Sequence, residues 1–374
     1  MRERGGPTRF TPFPMKRLVV CCDGTWNRPD HVDRGIAAPT NVAKLALAVA
    51  DRDADGVEQV VHYEAGVGTR RSERVLGGGF GYGLSRNVRD GYRFLVDAYE
   101  PGDQVFLLGF SRGAYTARSI AGLIRNAGIL RRDERGRVDQ AYTLYRDPHR
   151  DTEPSGIAAE LFRRSYAYGE TPIDFIGVWD TVGALGIPID GFRPPLLSRM
   201  WSFHDTRLSR IVRHAYHAVA IDERRAPFRP TLWELGEDAG DQVLEQTWFA
   251  GVHCDVGGGY RDPELSEITL LWMAERARGC GLALEPDHLV IAQPGFDPAA
   301  RRAGRCVAPS PTGPIHESRN GFYRLLAPYD RELTCDGGSV APSARERYDA
   351  DGSYRPKQLR ALLEATPAQS AAPR

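Results

Sequence analysis

The chain has 374 residues and a formal net charge of +0; 41% of its residues are hydrophobic and 26% charged. That is ordinary globular composition, with length enough to bury a substantial core. Balanced charge leaves no electrostatic footprint for nucleic acid or an anionic membrane, and no run approaches the roughly eighteen apolar residues of a membrane span. Cysteines 21, 22, 254, 280, 306 and 335 form no C-x-x-C pair and no zinc-type spacing, so reduced thiols and no metal are expected.

Residues 1–15 read as a disordered leader. Met1 to Pro14 is polar and Pro-rich without an apolar core, which argues against a secretory signal. A cytoplasmic protein is the expectation, with signal-independent export left open. Lys16 to Cys22 is the first strand, apolar on both faces as a central parallel strand should be. It ends in Asp23-Gly24-Thr25-Trp26-Asn27, a turn that would line a site at the carboxyl end of a doubly wound sheet. Asn41 to Ala50 is a helix with Thr40 as N-cap. Glu58 to Tyr63 is a second strand. The Gly77–Gly83 cluster lacks the Gly-Lys-Ser/Thr of a phosphate loop and opens a helix over Leu84 to Tyr99.

Val105 to Leu108 is a buried strand running into Gly109-Phe110-Ser111-Arg112-Gly113, and a helix follows from Ala114. Strand, G-x-S-x-G and helix in that order form a nucleophile elbow. The glycines at 109 and 113 let strand and helix approach, so Ser111 is expected on a strained turn with its hydroxyl exposed. The amide of Arg112, with Gly24 and Thr25 of the first turn, would supply an oxyanion hole.

Residues 131–170 are charged and helical in tendency, a surface insertion. Ile173 to Asp180 is the next strand. A second insertion covers about 184–240, where Pro194, Leu196, Leu197, Met200, Trp201 and Phe203 suggest either a cap or a packing patch. Within it, His214 to Ile221 fits strand and helix equally. Gln246 to Cys254 reads as the last clear strand, ending in Asp255, and a helix runs from Leu265 to Cys280 with Gly281 at C′. The remainder is Pro- and Arg-rich, with a short helix around Lys357 to Glu364 and a frayed tail over 365–374. The expectation is one α/β-hydrolase domain over 16–364, its mostly parallel sheet flanked by helices and carrying helical cap insertions.

A serine nucleophile needs an imidazole base, and the base needs a carboxylate, in chain order Ser, acid, His. Two assignments satisfy this. Counting strands from the elbow puts Asp255 two strands on, which favours Ser111, Asp255 and His316. The competing set is Ser111, Asp180 and His253, with both partners at strand ends; His217 is a weaker third imidazole. If 246–254 is strand throughout, alternation puts His253 and Asp255 on one face.

At these residues the chain resembles the DUF2235 family of α/β-hydrolase domains, which includes the catalytic domain of Tle1-type phospholipase effectors of the type VI secretion system. The carrying segments are Cys22-Asp-Gly-Thr-Trp-Asn27, Leu108 to Arg118, Val178-Trp-Asp-Thr-Val-Gly183, His217 to Arg224, Trp248 to Tyr260 and Ile315-His-Glu-Ser318. They run in order over about 16–330. The resemblance implies a serine esterase or lipase with Ser111 as nucleophile, no cofactor, and a role for His316, although relatives tend to carry Asp where Glu317 stands. A lipid or other small ester is the expected partner, with peripheral membrane contact left open. Because the effector phospholipases carry membrane-docking segments that are not recognised here, a soluble ester stands beside phospholipid. The rival classes are a catalytically silent hydrolase fold used for binding, and a hydrolase of a peptide, thioester or polymeric ester.

Overall fold

The computed structural model describes residues 15–25, 27–66, 79–169, 171–183, 207–236, 239–292, 305–334 and 338–365. The expected leader up to residue 14, the tail beyond 365, Gly77 and Gly78 of the glycine cluster, Cys335 and the apolar residues of the proposed cap between 184 and 206 lie outside them.

Seven strands in chain order build the central sheet: β1 (Lys16–Cys22), β2 (Glu58–Glu64), β3 (Gln104–Phe110), β4 (Ile173–Trp179), β5 (Val212–Ala220), β6 (Val243–Phe249) and β7 (Gly338–Val340). Their spatial order is β7-β6-β5-β4-β3-β1-β2, and every adjacent pair is parallel. The fold is therefore α/β, with a parallel sheet of the α/β-hydrolase kind. From β1 the chain moves outward to β2, then returns to lay β3 on the other side of β1. That reversal opens a crevice at the carboxyl ends of β1 and β3, the place where open α/β sheets bind ligands. The two loops leaving these strands are Asp23–Thr25 and the turn at Ser111.

Alternation along the strands sends successive side chains to opposite faces. Val19 and Cys21 of β1, with Phe106 and Leu108 of β3, pack with Val42 and Leu45 of α1 (Asn41–Ala48) and Leu270 and Met273 of the later helix Glu264–Gly279. Leu18, Val20, Val105 and Leu107 face the other way, onto Val88, Tyr92 and Leu95 of α2 (Gly79–Ala98) and Ala117 and Ile120 of α3 (Arg112–Ala127). Both faces are covered, which is why these strands read as unbroken apolar runs. Thr40 caps α1 as expected, accepting from the Ala43 N–H at 3.2 Å.

The 131–170 stretch forms α4 (Val138–Arg146) and α5 (Ile157–Tyr166), with one 3₁₀ turn before α4 and one between the two, both helices set against α3 through Val138, Ala141 and Phe162. The undecided segment at 214–221 is strand: it is β5, sandwiched between β4 and β6. The expected strand over 246–254 ends instead at Phe249. Gly251 turns the chain at φ 110°, and residues 253–257 form a single helical turn, α6 (His253–Gly257). The helix after it is α7 (Glu264–Gly279), with Gly281 at φ 101° just beyond its end. The carboxyl-terminal part includes β7 and the helices α8 (Pro342–Ala350) and α9 (Lys357–Ala365).

The tightest constraint lies where β1, β3 and α3 meet. A Cβ on Gly113 would stand 2.0 Å from the Cys22 carbonyl oxygen, and one on Gly109 would stand 2.5 Å from the Gly113 carbonyl oxygen. Backbone atoms cannot yield that much. Gly113→Ala should lower unfolding free energy by about 3 kcal/mol or more, or prevent folding. Gly136→Ala, where a Cβ meets nothing within 4 Å, should change it by less than about 0.5 kcal/mol; urea unfolding of the pair checks both.

Candidate active site

Ser111 sits between β3 and α3 at φ 58° and ψ −120°, a conformation rarely held by a residue with a Cβ. The close packing of Gly109 and Gly113 forces it. The Ser111 N–H donates to the Trp179 carbonyl at 3.0 Å, tying the turn to the end of β4. Its side chain is not on an open crest, as the sequence suggests: Ser111 keeps only 6% of its exposure, so the hydroxyl lies at the floor of the crevice.

The imidazole at that hydroxyl is His253. Its Nε2 lies 2.8 Å from Ser111 Oγ, and its Nδ1 lies 2.5 Å from Asp180 Oδ2. A carboxylate only accepts, so Nδ1 carries the proton and Nε2 offers its lone pair to the serine hydroxyl. His253 is the first residue of α6, and its ring is wedged between Phe110 and Phe228 at centroid distances of 4.7 and 4.9 Å. Asp180 follows the last residue of β4 and is held at φ 41°, a second strained non-glycine position in the same crevice. Its Oδ1 accepts from the Ala220 N–H at 3.0 Å.

Burial alone would raise the Asp180 carboxyl, but the Arg331 guanidinium and the His253 ring outweigh it and hold the group well below the usual carboxylate range. Arg331 contacts both Asp180 oxygens, at 2.6 and 2.9 Å. Burial pushes His253 down from the ordinary histidine value, against the opposing pull of Asp180, so it is neutral near pH 7. Glu223 is also buried; its Oε2 accepts from the His253 backbone N–H at 3.3 Å, while Arg225 grips both of its oxygens. No spacing rule singles out Arg331, Glu223 or Phe228 for this site, because each reaches it through a contact far along the chain.

Asp255 and His316 also meet, but with each other. Asp255 Oδ1 lies 2.6 Å from His316 Nδ1, while Oδ2 accepts from the backbone N–H groups of Val252 and His316 at 3.0 and 3.1 Å. The His316 ring stacks on Tyr260 with centroids 4.0 Å apart. The geometry thus divides the four residues into two Asp–His pairs, of which the Asp180–His253 pair reaches Ser111. The strand count that favoured Asp255 omits β5, and His253 and Asp255 share a helical turn rather than a strand face. Asp255 caps that turn, so it braces the element carrying His253. His217 lies behind Asp180 with both ring nitrogens engaged, Nε2 accepting from the Thr181 N–H at 3.0 Å and Nδ1 facing Gln246. Burial takes its pKa down to about 3, so it stays neutral.

Of the expected oxyanion donors, the Gly24 N–H donates to Asp23 Oδ1 at 2.6 Å. The Asp23 carboxylate is further anchored by Thr40 and Tyr63. The loop lines the serine closely, since a Cβ on Gly24 would stand 3.4 Å from that of Ser111. Among the described residues the buried Thr25 hydroxyl has no hydrogen-bond partner. The Arg112 amide is the first of α3, at the helix end that presents N–H groups beside Ser111. Among the described residues no group of three or more His, Cys, Asp or Glu could hold a metal, and no helix is long and apolar enough to cross a membrane. A cavity of about 400 Å³ lies elsewhere, along the far half of α3 beside Arg118, Asn126 and Trp233.

A parallel α/β sheet with a serine on a strained strand-to-helix turn, bonded to an Asp–His pair, places the protein in the α/β-hydrolase class. Within that class, residues 16–276 match the catalytic-domain model of the Tle1-like phospholipase effectors of type VI secretion, and the chain belongs to that family. An uncharacterized protein of Saccharomyces cerevisiae is 30% identical over 57% of this chain and 32% of its own length. Two solved structures align at 18% identity. One is an uncharacterized protein from Pseudomonas aeruginosa, with a TM-score of 0.45, covering 79% of this chain and 49% of that one. The other is a Tle1 effector bound to the VgrG spike, with a TM-score of 0.34 and coverages of 67% and 52%. The chain thus spans about a third of the yeast relative and about half of each structural one.

Asp255, above all, raises the His316 pKa over the opposing effect of burial. A raised folded value means that protonated His316 stabilises the fold below the unfolded value of about 6.5, and that this contribution is lost as pH rises through the folded value. The difference in melting temperature between wild type and His316→Gln should therefore shrink from about pH 6 to about pH 8.5. A difference constant over that range would rule the linkage out.

Proposed function

We propose that the protein is a serine hydrolase of carboxylic esters, lipid esters foremost, working through Ser111, His253 and Asp180. The observation that carries the reading is the unbroken line of hydrogen bonds from Ser111 Oγ through the His253 ring to Asp180. Membership of a family of phospholipase effectors supports lipid as the substrate class.

In the first half-reaction His253 Nε2 takes the hydroxyl proton as Ser111 Oγ attacks the ester carbonyl carbon. The imidazolium that forms is stabilised by Asp180, which stays ionised. The tetrahedral oxyanion lies against the amides of Arg112 and Thr25, with the Thr25 hydroxyl as a further donor. Removing one such donor typically costs on the order of a hundredfold or more in rate. Collapse breaks the ester C–O bond, and His253 returns its proton to the departing alcohol. Water then attacks the acyl-serine carbonyl with His253 again as base, releasing the carboxylic acid and restoring the serine. In this reading the Asp255–His316 pair braces α6 and takes no proton from the reaction.

A fluorophosphonate probe should label the wild-type protein at Ser111, and Ser111→Ala should abolish labelling. A folded wild type that never labels would instead indicate a catalytically silent hydrolase fold. On a chromogenic ester, His253→Ala and Asp180→Asn should each lower kcat about ten-thousandfold, while His316→Ala should stay within roughly tenfold of wild type. If His316→Ala loses as much as His253→Ala, the reaction uses the other pair. Faster hydrolysis of micellar than of monomeric esters would mark a lipase, and the reverse a soluble esterase.

A further inference from the structure

Arg331 lies outside the stretch matched by the family model and has 1% exposure, yet it reaches the triad through its guanidinium. Its Nη1 donates to Asp180 Oδ1 at 2.6 Å and to the Ala220 carbonyl at 2.7 Å. Its Nη2 donates to Asp180 Oδ2 at 2.9 Å and to the Phe228 carbonyl at 2.6 Å. The four hydrogens on the terminal nitrogens therefore each have an acceptor. These acceptors come from three elements: the end of β4, the end of β5 and the 3₁₀ turn Ala226–Phe228 that carries one of the rings against His253. Asp180 is equally filled, its two oxygens receiving Ala220 N–H, His253 Nδ1–H and both arms of the fork. The segment that delivers Arg331 is pinned beside residues 224–225 by the Tyr329 N–H donating to the Arg224 carbonyl at 2.9 Å and by an Arg224–Asp330 ion pair at 3.0 Å.

We propose that Arg331 is a positioning residue for the hydrolytic reaction: its fork fixes the plane of the Asp180 carboxylate and balances its charge, so that His253 waits as a neutral base with its lone pair on Ser111. The inference rests on the Ser111–His253–Asp180 reading above. Its physical basis is the expense of an unbalanced buried anion. Without the guanidinium, a carboxylate with no exposure would either take up a proton or draw one onto His253. A protonated Asp180 no longer stabilises the imidazolium, and a protonated His253 cannot accept from Ser111. Either outcome confines activity to higher pH. Fork geometry matters in addition to charge, since two parallel N–H···O bonds fix orientation as a lysine ammonium cannot.

The other ionisable groups facing this pair do not replace Arg331. Glu223 and Arg225, from the turn after β5, form an ion pair with each other at 2.8 Å. His217 on β5 is neutral. On α6 itself, burial keeps the Cys254 thiol protonated, and Asp255 is bonded to His316.

The test uses the full chain as wild type, Arg331→Met and Arg331→Lys. The downfield proton resonance of His253 Nδ1–H, assigned by its loss in His253→Asn, is titrated alongside the pH profile of kcat/KM on a chromogenic ester. In Arg331→Met the titration midpoint and the acid limb of the profile should both move up, by about one pH unit or more. Arg331→Lys keeps a cation, so its acid limb should remain within about half a unit, while kcat falls roughly tenfold or more with KM little changed. A merely structural arginine would lower the melting temperature and leave both midpoints in place; that result in Arg331→Met overturns the proposal. Should Arg331→Met fail to fold, wild-type kcat in Arg331→Lys overturns it equally. A wild type that neither labels nor hydrolyses refutes the hydrolase reading, and the resonance midpoints still decide whether Arg331 governs His253.

Discussion

The buried carboxylate of Asp180 is the point on which the crevice depends. It has no exposure, sits in a strained backbone conformation, and is contacted at once by a histidine, an arginine and a backbone amide. An ionised group in that position is tolerated only where its charge is matched and its lone pairs are filled. The contacts that do so reach the end of β4, the end of β5, the first turn of α6 and a segment near residue 331. Four stretches separated by up to 151 residues are thereby drawn to one place.

The second constraint is steric and acts on the other partner. Contact between the first turn of α3 and the carbonyl of Cys22 leaves no room for a Cβ at residue 113, and the turn at Ser111 absorbs the strain. A serine held this way cannot relax toward an ordinary helix N-cap rotamer, so its hydroxyl keeps a fixed relation to His253. Preorganisation of this kind is what hydrolytic chemistry on a serine needs, because reorganisation at the moment of attack would add to the barrier.

Two Asp–His pairs stand side by side, and they differ in surroundings rather than in chemistry. His253 is buried between aromatic rings, which lowers its proton affinity and leaves it a base near neutral pH. His316 is partly exposed and its proton affinity is raised, above all by Asp255. The first environment suits a group that must give and take a proton; the second suits a brace. Asp255 joins the two pairs by capping the helical turn on which His253 stands.

Much of the fold is legible from the residues alone, because local rules determine it. The apolar runs at Lys16–Cys22 and Val105–Leu108 can only be doubly covered strands, Thr40 and Gly281 mark helix ends, and the G-x-S-x-G spacing specifies a tight strand-to-helix turn. The candidate acids and imidazoles were likewise visible as residue types at chain positions. Which acid served which imidazole was not, because the strand count needed for that choice omitted β5, whose residues fit helix and strand equally until β4 and β6 enclose them. Nor could Arg331 be read from its neighbours in the chain, since its role arises only when folding brings a distant guanidinium against a carboxylate that has lost its water. Sequence determined the turn that presents the serine, through short-range sterics; tertiary structure alone decided its partners, because pairing of buried charges is a long-range matter.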